Sequence, residues 1–486
     1  MLCMMGQHNG QKELFSYQVD LDRRVRADHP LRAVAAQIDF NFIRTEVEQF
    51  YGKKGNVSVD PVIILKMMFL LFFDDVASER ELVGIIRERL DYLWFLGYGL
   101  NDEIPNHSVL SKARRRWGKE VFESFFVRTV MACVQAGLID GKKIHVDSSL
   151  IDANASRDSV MKSSPELIAA VKKAYGAQES KLENTTTPEA YESVNDSIVS
   201  TTDPDAPVVG RSGQGARPRY HHHRVVDDAN AVITAVTTTP GTIAENKKLM
   251  EMIGQHEKNT QQAAQTVVAD HKYGTTENFV ACQQQGIRTH LGDVLSRQSQ
   301  GQRRPDIFPD SQFEYRSEDD TYRCPAGQLM RPRRLHPHRK TWEYYLPKGV
   351  CAQCSLREQC TRAKTGRTIH RHEHQEILDK ARAQANSPAA RRDRRRRQFL
   401  IEQSFGDATN NHGFKRSRWR RMWRQQIQDW LIAGIQNIRI LLSRSGPKRG
   451  VVAQILALAE GRSAGLLSWL HPQTVGPSFA AAGFQV

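Results

Sequence analysis

Residues 142–156, KKIHVDSSLIDANAS, place Ile144 and Val146 on one face and His145 and Asp147 on the other. That period of two predicts a strand, which ends by presenting a carboxylate, two serines and a second acid, Asp152. An acid at a strand end is ordinarily a turn-former or a helix cap, so the feature alone names no chemistry. Ahead of it, residues 1–140 read as helical. DPVIILKMMFLLFFDD at 60–75 opens with Asp60 before Pro61, an N-cap followed by the proline favoured in the first turn. SERELVGIIRERLDYLWFLG at 78–97 has Ser78 and Glu81 at capping-box spacing and apolar residues at helical intervals.

A turn containing Pro105 leads into HSVLSKARRRWG at 107–118, a short helix carrying Arg114, Arg115 and Arg116. Two helices, a turn and a basic helix have the layout of a helix-turn-helix DNA-binding module. A helical bundle with a solvated basic face fits the same pattern. Beyond the opening strand, 157–219 is polar and rich in Ser, Thr, Asp, Pro and Gly, a helix plus a long connection. Strands are predicted over 219–228, 231–241, 264–274 and 287–292, with helices over 244–256 and 275–286 between them. The strand at 264–274 again ends in an acid, Asp270. This alternation predicts an α/β unit over 141–294. From 295 to 372 the composition shifts to Arg, Gln, Pro and Cys, the mark of an inserted module. Residues 373–445 return to helix and are very basic, and 446–486 read as a separate tail.

Charge narrows the partners. The 486 residues carry 69 Lys and Arg against 54 Asp and Glu, a formal net charge of +15. Such an excess favours a polyanion, nucleic acid above all. The longest apolar run, at 62–73, is short and contains Lys66, so it reads as a core helix and not a membrane span. The N-terminus lacks a basic segment followed by an apolar one, and seven cysteines without a secretory signal point to reduced thiols or metal ligands. A cytoplasmic protein associated with the nucleoid is expected.

Asp147 and Asp270 each close a predicted strand, where functional groups of α/β sheets converge. Glu402 lies on a late helix, in RRQFLIEQSFGD. Three carboxylates on two strands and a helix suit two divalent cations, Mg²⁺ or Mn²⁺, as hard oxygen ligands. The plainer alternative makes the aspartates turn residues and Glu402 a surface glutamate.

HVDSSLIDANAS, VVADHKYGTTEN and IEQSFGDATNNHGFKRSRWR together resemble the three acid-bearing segments of bacterial insertion-sequence transposases with a DDE core. QNIRILL at 436–442 is similar to that family's closing helix, STTDPDA at 200–206 to a segment before its second strand, and 60–97 to its N-terminal helical domain. The resemblance reaches to about residue 445. It implies an α/β, ribonuclease H-like mixed sheet with flanking helices, preceded by an all-helical DNA-binding domain and interrupted by a small Cys-rich insert. It implies catalytic and metal-binding roles for Asp147, Asp270 and Glu402, with two Mg²⁺ or Mn²⁺ per site. Cleavage of terminal inverted repeats and their transfer into target DNA would follow, by a dimer or higher oligomer on double-stranded DNA. The rivals are a metal-dependent nuclease on the same fold and a copy that only binds DNA. Two positions depart from the family: Gln398 and Thr409 stand where an arginine and a lysine are common, with Arg397 and Lys415 nearby.

Cys324, Cys351, Cys354 and Cys360 fall in the insert, in YRCPAG and GVCAQCSLREQC, and read as a structural Zn²⁺ site. HGFKRSRWRRMWR at 412–424 interleaves Lys415, Arg416, Arg418, Arg420, Arg421 and Arg424 with Trp419 and Trp423. A continuous helix there would hold phosphates and stack on bases, with Arg397 adding to the grip. The readers of end sequence are then expected at Arg114, Arg115 and Arg116.

Overall fold

The computed structural model describes residues 19–52, 57–162, 164–183, 198–211, 213–292 and 307–445. The tail expected at 446–486 and the start of the stretch expected at 295–372 lie outside the described residues. Among the described residues no helix is long and apolar enough to cross a membrane.

The N-terminal helices are organised around one apolar rod, Pro61–Phe73. Asp60 caps it by accepting the Val62 N–H at 2.9 Å, and Pro61 needs no partner for a missing donor. Every residue of the rod is buried except Lys66, whose ammonium donates to the Phe95 carbonyl at 2.8 Å. The span expected as one helix over 78–97 is two, Glu79–Glu88 and Leu90–Leu96. The backbone turns extended at Arg89, whose guanidinium pairs with Asp74 and Asp91 and lies over the Tyr92 ring. Ser78 caps the first of the pair through the Glu81 N–H, and Gly97 in the left-handed region ends the second.

The main sheet contains β1 (Lys143–Asp152), β2 (Val208–Arg211), β3 (Gln214–Asp227), β4 (Ile233–Pro240), β5 (Thr266–Val268) and β6 (Arg288–His290). Its order is β2-β3-β1-β5-β6, with β4 on β3. β1 runs antiparallel to β3 and parallel to β5, and β5 runs parallel to β6, so the sheet is mixed. Alternation assigns the faces: Ile144, Val146 and Val225 pack with helices Leu249–Thr260 and Thr276–Gln284. Ile151, Val226 and Ile233 join the N-terminal helices and the closing helix Met422–Ser445 in a second core. The helical N-terminal region therefore shares its interior with the sheet.

A second sheet follows, five antiparallel strands spanning Glu314–Arg316, Thr321–Arg323, Leu329–His336, Thr341–Tyr345 and Thr368–His372. Phe313, Tyr322, Met330, Tyr344, Leu346 and Ile369 form its small core. The chain then returns through helix Gln375–Ala385 to the 25-residue helix Pro388–His412, which lies against the main sheet.

Candidate active site

β1 pairs with β5 only through Lys143 to His145, so the two strands separate where Asp147 begins to project. Asp147 Oδ1 accepts the Ser148 N–H at 2.8 Å. The chain leaving β5 presents Asp270, which caps a short 3₁₀ turn by accepting the Lys272 N–H at 2.8 Å. Both carboxylates are about four-fifths buried, Asp147 with 23% and Asp270 with 22% of its side chain exposed. Burial raises the Asp147 carboxyl above its ordinary pKa; the Arg397 guanidinium and the Ser148 N–H pull it down, and the charges of Asp270 and Glu245 add to the rise. The two aspartates thus sense each other across the mouth of the sheet.

The helix Pro388–His412 is pinned there by a row of polar contacts. Asp393 accepts from Lys143 at 3.1 Å and pairs with His290 at 2.6 Å. Arg396 pairs with Asp228 at 2.6 Å, Arg397 pairs with Asp147, and Ser404 accepts from the buried Arg224 at 2.7 Å. Residues 393, 397 and 404 share the helix face turned to the sheet. Glu402 projects elsewhere: it is exposed and accepts from Gln398 Nε2 at 3.1 Å. Among the described residues no three His, Cys, Asp or Glu side chains stand in a metal-holding arrangement. Thr409 spends its hydroxyl on the Phe405 carbonyl at 2.7 Å. Lys415, like Arg397, reaches β1, where its ammonium meets the Ser149 hydroxyl.

Sequence reading missed three neighbours of Asp147. Glu245, in the turn after β4, is 14% exposed and accepts from Lys272 Nζ at 2.7 Å. His221 Nε2 lies 3.0 Å from the Ser148 hydroxyl and 3.9 Å from Glu245. Tyr273 is fully buried beside them. Asp152, by contrast, is consumed by Arg217 at 3.0 Å and Arg219 at 2.7 Å. His145 is buried against Asp228 at 2.7 Å.

The expected basic helix over 412–424 is not continuous. Helix Pro388–His412 stops at Gly413 (φ 61°), and the next begins at Met422. A Cβ on Gly413 would stand 2.4 Å from Asp75 Oδ1, so the tight exit suits glycine twice over. Between them, Arg418 pairs with Asp75 and donates to the Leu71 carbonyl at 2.9 Å. Arg421 is buried, 3.0 Å from Asp205 and over the Tyr175 ring. Trp419 meets Phe72 edge-on and carries Arg114 3.8 Å above its ring. Arg114 itself is 3% exposed and paired with Glu79, which places it inside the protein and away from any base edge. Arg115 is half-buried, and Arg116, Arg416 and Arg420 are exposed.

Cys324, Cys351, Cys354 and Cys360 line one pocket of the second sheet. Burial pushes the Cys360 thiol up; Arg367 opposes this, and the charges of Cys351, Cys324 and Cys354 reinforce it.

Two family models match the chain. A transposase domain (DUF772) covers residues 19–116, and a transposase DDE domain covers residues 323–442. The second includes Glu402 and the four cysteines, whereas Asp147 and Asp270 precede it. No curated protein matches the chain.

Proposed function

From the premise that the chain belongs to the insertion-sequence DDE transposases, as its two matched domains show, we propose that it cuts the ends of its own element and joins them to target DNA. The core is then ribonuclease H-like, with Asp147, Asp270 and Glu402 as its acids. What carries this reading is the pair Asp147 and Asp270, set at the diverging ends of two parallel strands and largely buried together. An acid there that merely formed a turn would have no reason to keep a second carboxylate within electrostatic reach, because like charges in a partly buried site raise each other's cost.

The site suits divalent cations. Its carboxylates are balanced by Arg397 and Lys272, side chains whose positive charge a metal ion could replace. Bound Mg²⁺ or Mn²⁺ would activate the attacking hydroxyl or water and stabilise the leaving oxygen. The chain's own part is to hold the scissile phosphate near Asp147 and Asp270. The helix bearing Glu402 is fastened to the sheet through Asp393, Arg396, Arg397 and Ser404, which sets the third acid beside the opening. Exposed Arg116, Arg416 and Arg420 supply part of the grip on the DNA backbone. Two ends cut together require two active sites, hence a dimer or larger assembly on DNA. The four thiols around the second sheet's pocket are proposed to hold structural Zn²⁺.

The test is incubation of the protein with its element's end sequence and Mg²⁺ or Mn²⁺, resolving nicks, double-strand breaks and joined products. Cuts at the element boundary with joined products support the reading. Boundary cuts without joining favour a nuclease, and end binding without cutting favours a DNA-binding copy.

A further inference from the structure

A chain of contacts leads from Asp147 to a carboxylate that the three-acid account leaves out. The Ser148 N–H bonds Asp147 at 2.8 Å, and the Ser148 hydroxyl lies 3.0 Å from His221 Nε2. The same nitrogen is 3.9 Å from Glu245 Oε1. Glu245 accepts from Lys272 Nζ at 2.7 Å, and the Lys272 N–H returns to Asp270 at 2.8 Å. Glu245 is therefore built into the same opening as both aspartates, from a turn that follows β4 directly.

Tyr273 is an independent sign that something binds among them. It is fully buried, and its hydroxyl has no hydrogen-bond partner among the described residues. Its surroundings are anionic: burial raises it far above the phenol range, Asp147 and Glu245 push further, Ser148 opposes them, and Asp270 adds to the rise. A buried polar group is almost always paired, so an orphaned hydroxyl facing three carboxylates marks a place for a ligand. Glu402, exposed and held by Gln398, is not among the charges that act on Asp147 or Tyr273.

We infer that Glu245 is a fourth carboxylate of the catalytic centre, sharing a divalent cation with Asp147 and Asp270, with Lys272 as its counter-ion until the cation arrives. This rests on the transposase reading and adds a ligand to it. The positive charge of Lys272 and that of a cation compete for the same oxygen, so Lys272 tunes how tightly the empty protein takes up metal.

Mn²⁺ titration of the full-length, DNA-free protein by electron paramagnetic resonance reads this without relying on cleavage. Glu245→Gln should weaken Mn²⁺ binding at least tenfold, as Asp147→Asn should, whereas Lys272→Met should tighten it severalfold. Wild-type affinity in Glu245→Gln beside a loss in Asp147→Asn would overturn the inference and leave the transposase reading standing. Wild-type affinity in Asp147→Asn as well would sink both. Should Glu245→Gln fail to fold, Lys272→Met decides, and an unchanged affinity there refutes the competition.

Discussion

Arg397 and Asp147, 250 residues apart in sequence, form an ion pair that ties the glutamate-bearing helix to the first strand. The pair opposes the effect of burial on the Asp147 carboxyl, which on balance stays above its ordinary pKa. Cleavage that needs ionised Asp147 should therefore fail, as pH drops, earlier than an ordinary carboxylate would make it fail. Removing the arginine removes a contribution that lowers the pKa. Arg397→Gln should move the acid limb of the pH–rate profile to higher pH, with the alkaline side little changed. An acid limb that stayed in place would show that Asp147 does not set it.

Arg114 is expected to act in folding. Its guanidinium is buried, paired with Glu79 and stacked on Trp419, so it joins the N-terminal helices to the segment after Gly413. Breaking a buried ion pair from one side commonly costs about 3–5 kcal/mol. Arg114→Ala should lose stability on that scale in denaturant unfolding, while exposed Arg116→Ala should change stability by less than about 0.5 kcal/mol. The opposite ranking would return Arg114 to the DNA surface.

Arg416 and Arg420 are exposed, whereas their neighbours Arg418 and Arg421 are held by Asp75 and Asp205. Neutralising the exposed pair should weaken binding to any DNA and flatten the slope of log K against log salt by about 0.9 per lost phosphate contact. Discrimination between element ends and random DNA should hardly move, because phosphate contacts carry no sequence information directly. A lost end preference at unchanged slope would make this segment a reader of bases.

For the four-cysteine pocket, elemental analysis of protein purified without chelator should find about one zinc per chain. Cys354→Ser should lose the metal and destabilise the second sheet. Metal-free protein with four freely titrating thiols would remove zinc from the account.

Much of this architecture was legible where a local rule repeats. Period-two alternation located β1 and the strand before Asp270, and the Asp60-Pro61 and Ser78 caps marked two helix starts. The rest depended on contacts far apart in sequence. Interleaved arginines and tryptophans over 412–424 look helical, but Gly413 in the left-handed region and Arg421 at φ 79° interrupt the helix, and acids from the N-terminal helices and the 203–205 turn draw the arginines inward. Arg114 gave no local sign of burial, since its partners Glu79 and Trp419 lie 35 and 305 residues away. Glu245 was invisible for a similar reason: GTIAENKK has no periodic pattern, and its link to Asp147 passes through His221 and Ser148.

The central claim is that the acids at the mouth of the sheet perform the chemistry and do not hold the DNA. It is tested most directly by comparing Asp147→Asn, Asp270→Asn and Glu402→Gln with the wild type in one assay that reads both end binding and end cleavage. Each substitution removes an acid but no phosphate contact, so each variant should bind the element end within about twofold of wild type and lower the cleavage rate by at least about a thousandfold, roughly the 4 kcal/mol of transition-state stabilisation such a factor represents. Cleavage persisting at a wild-type rate in Asp147→Asn or Asp270→Asn would contradict the account, and persistence in Glu402→Gln alone would remove that glutamate from the triad.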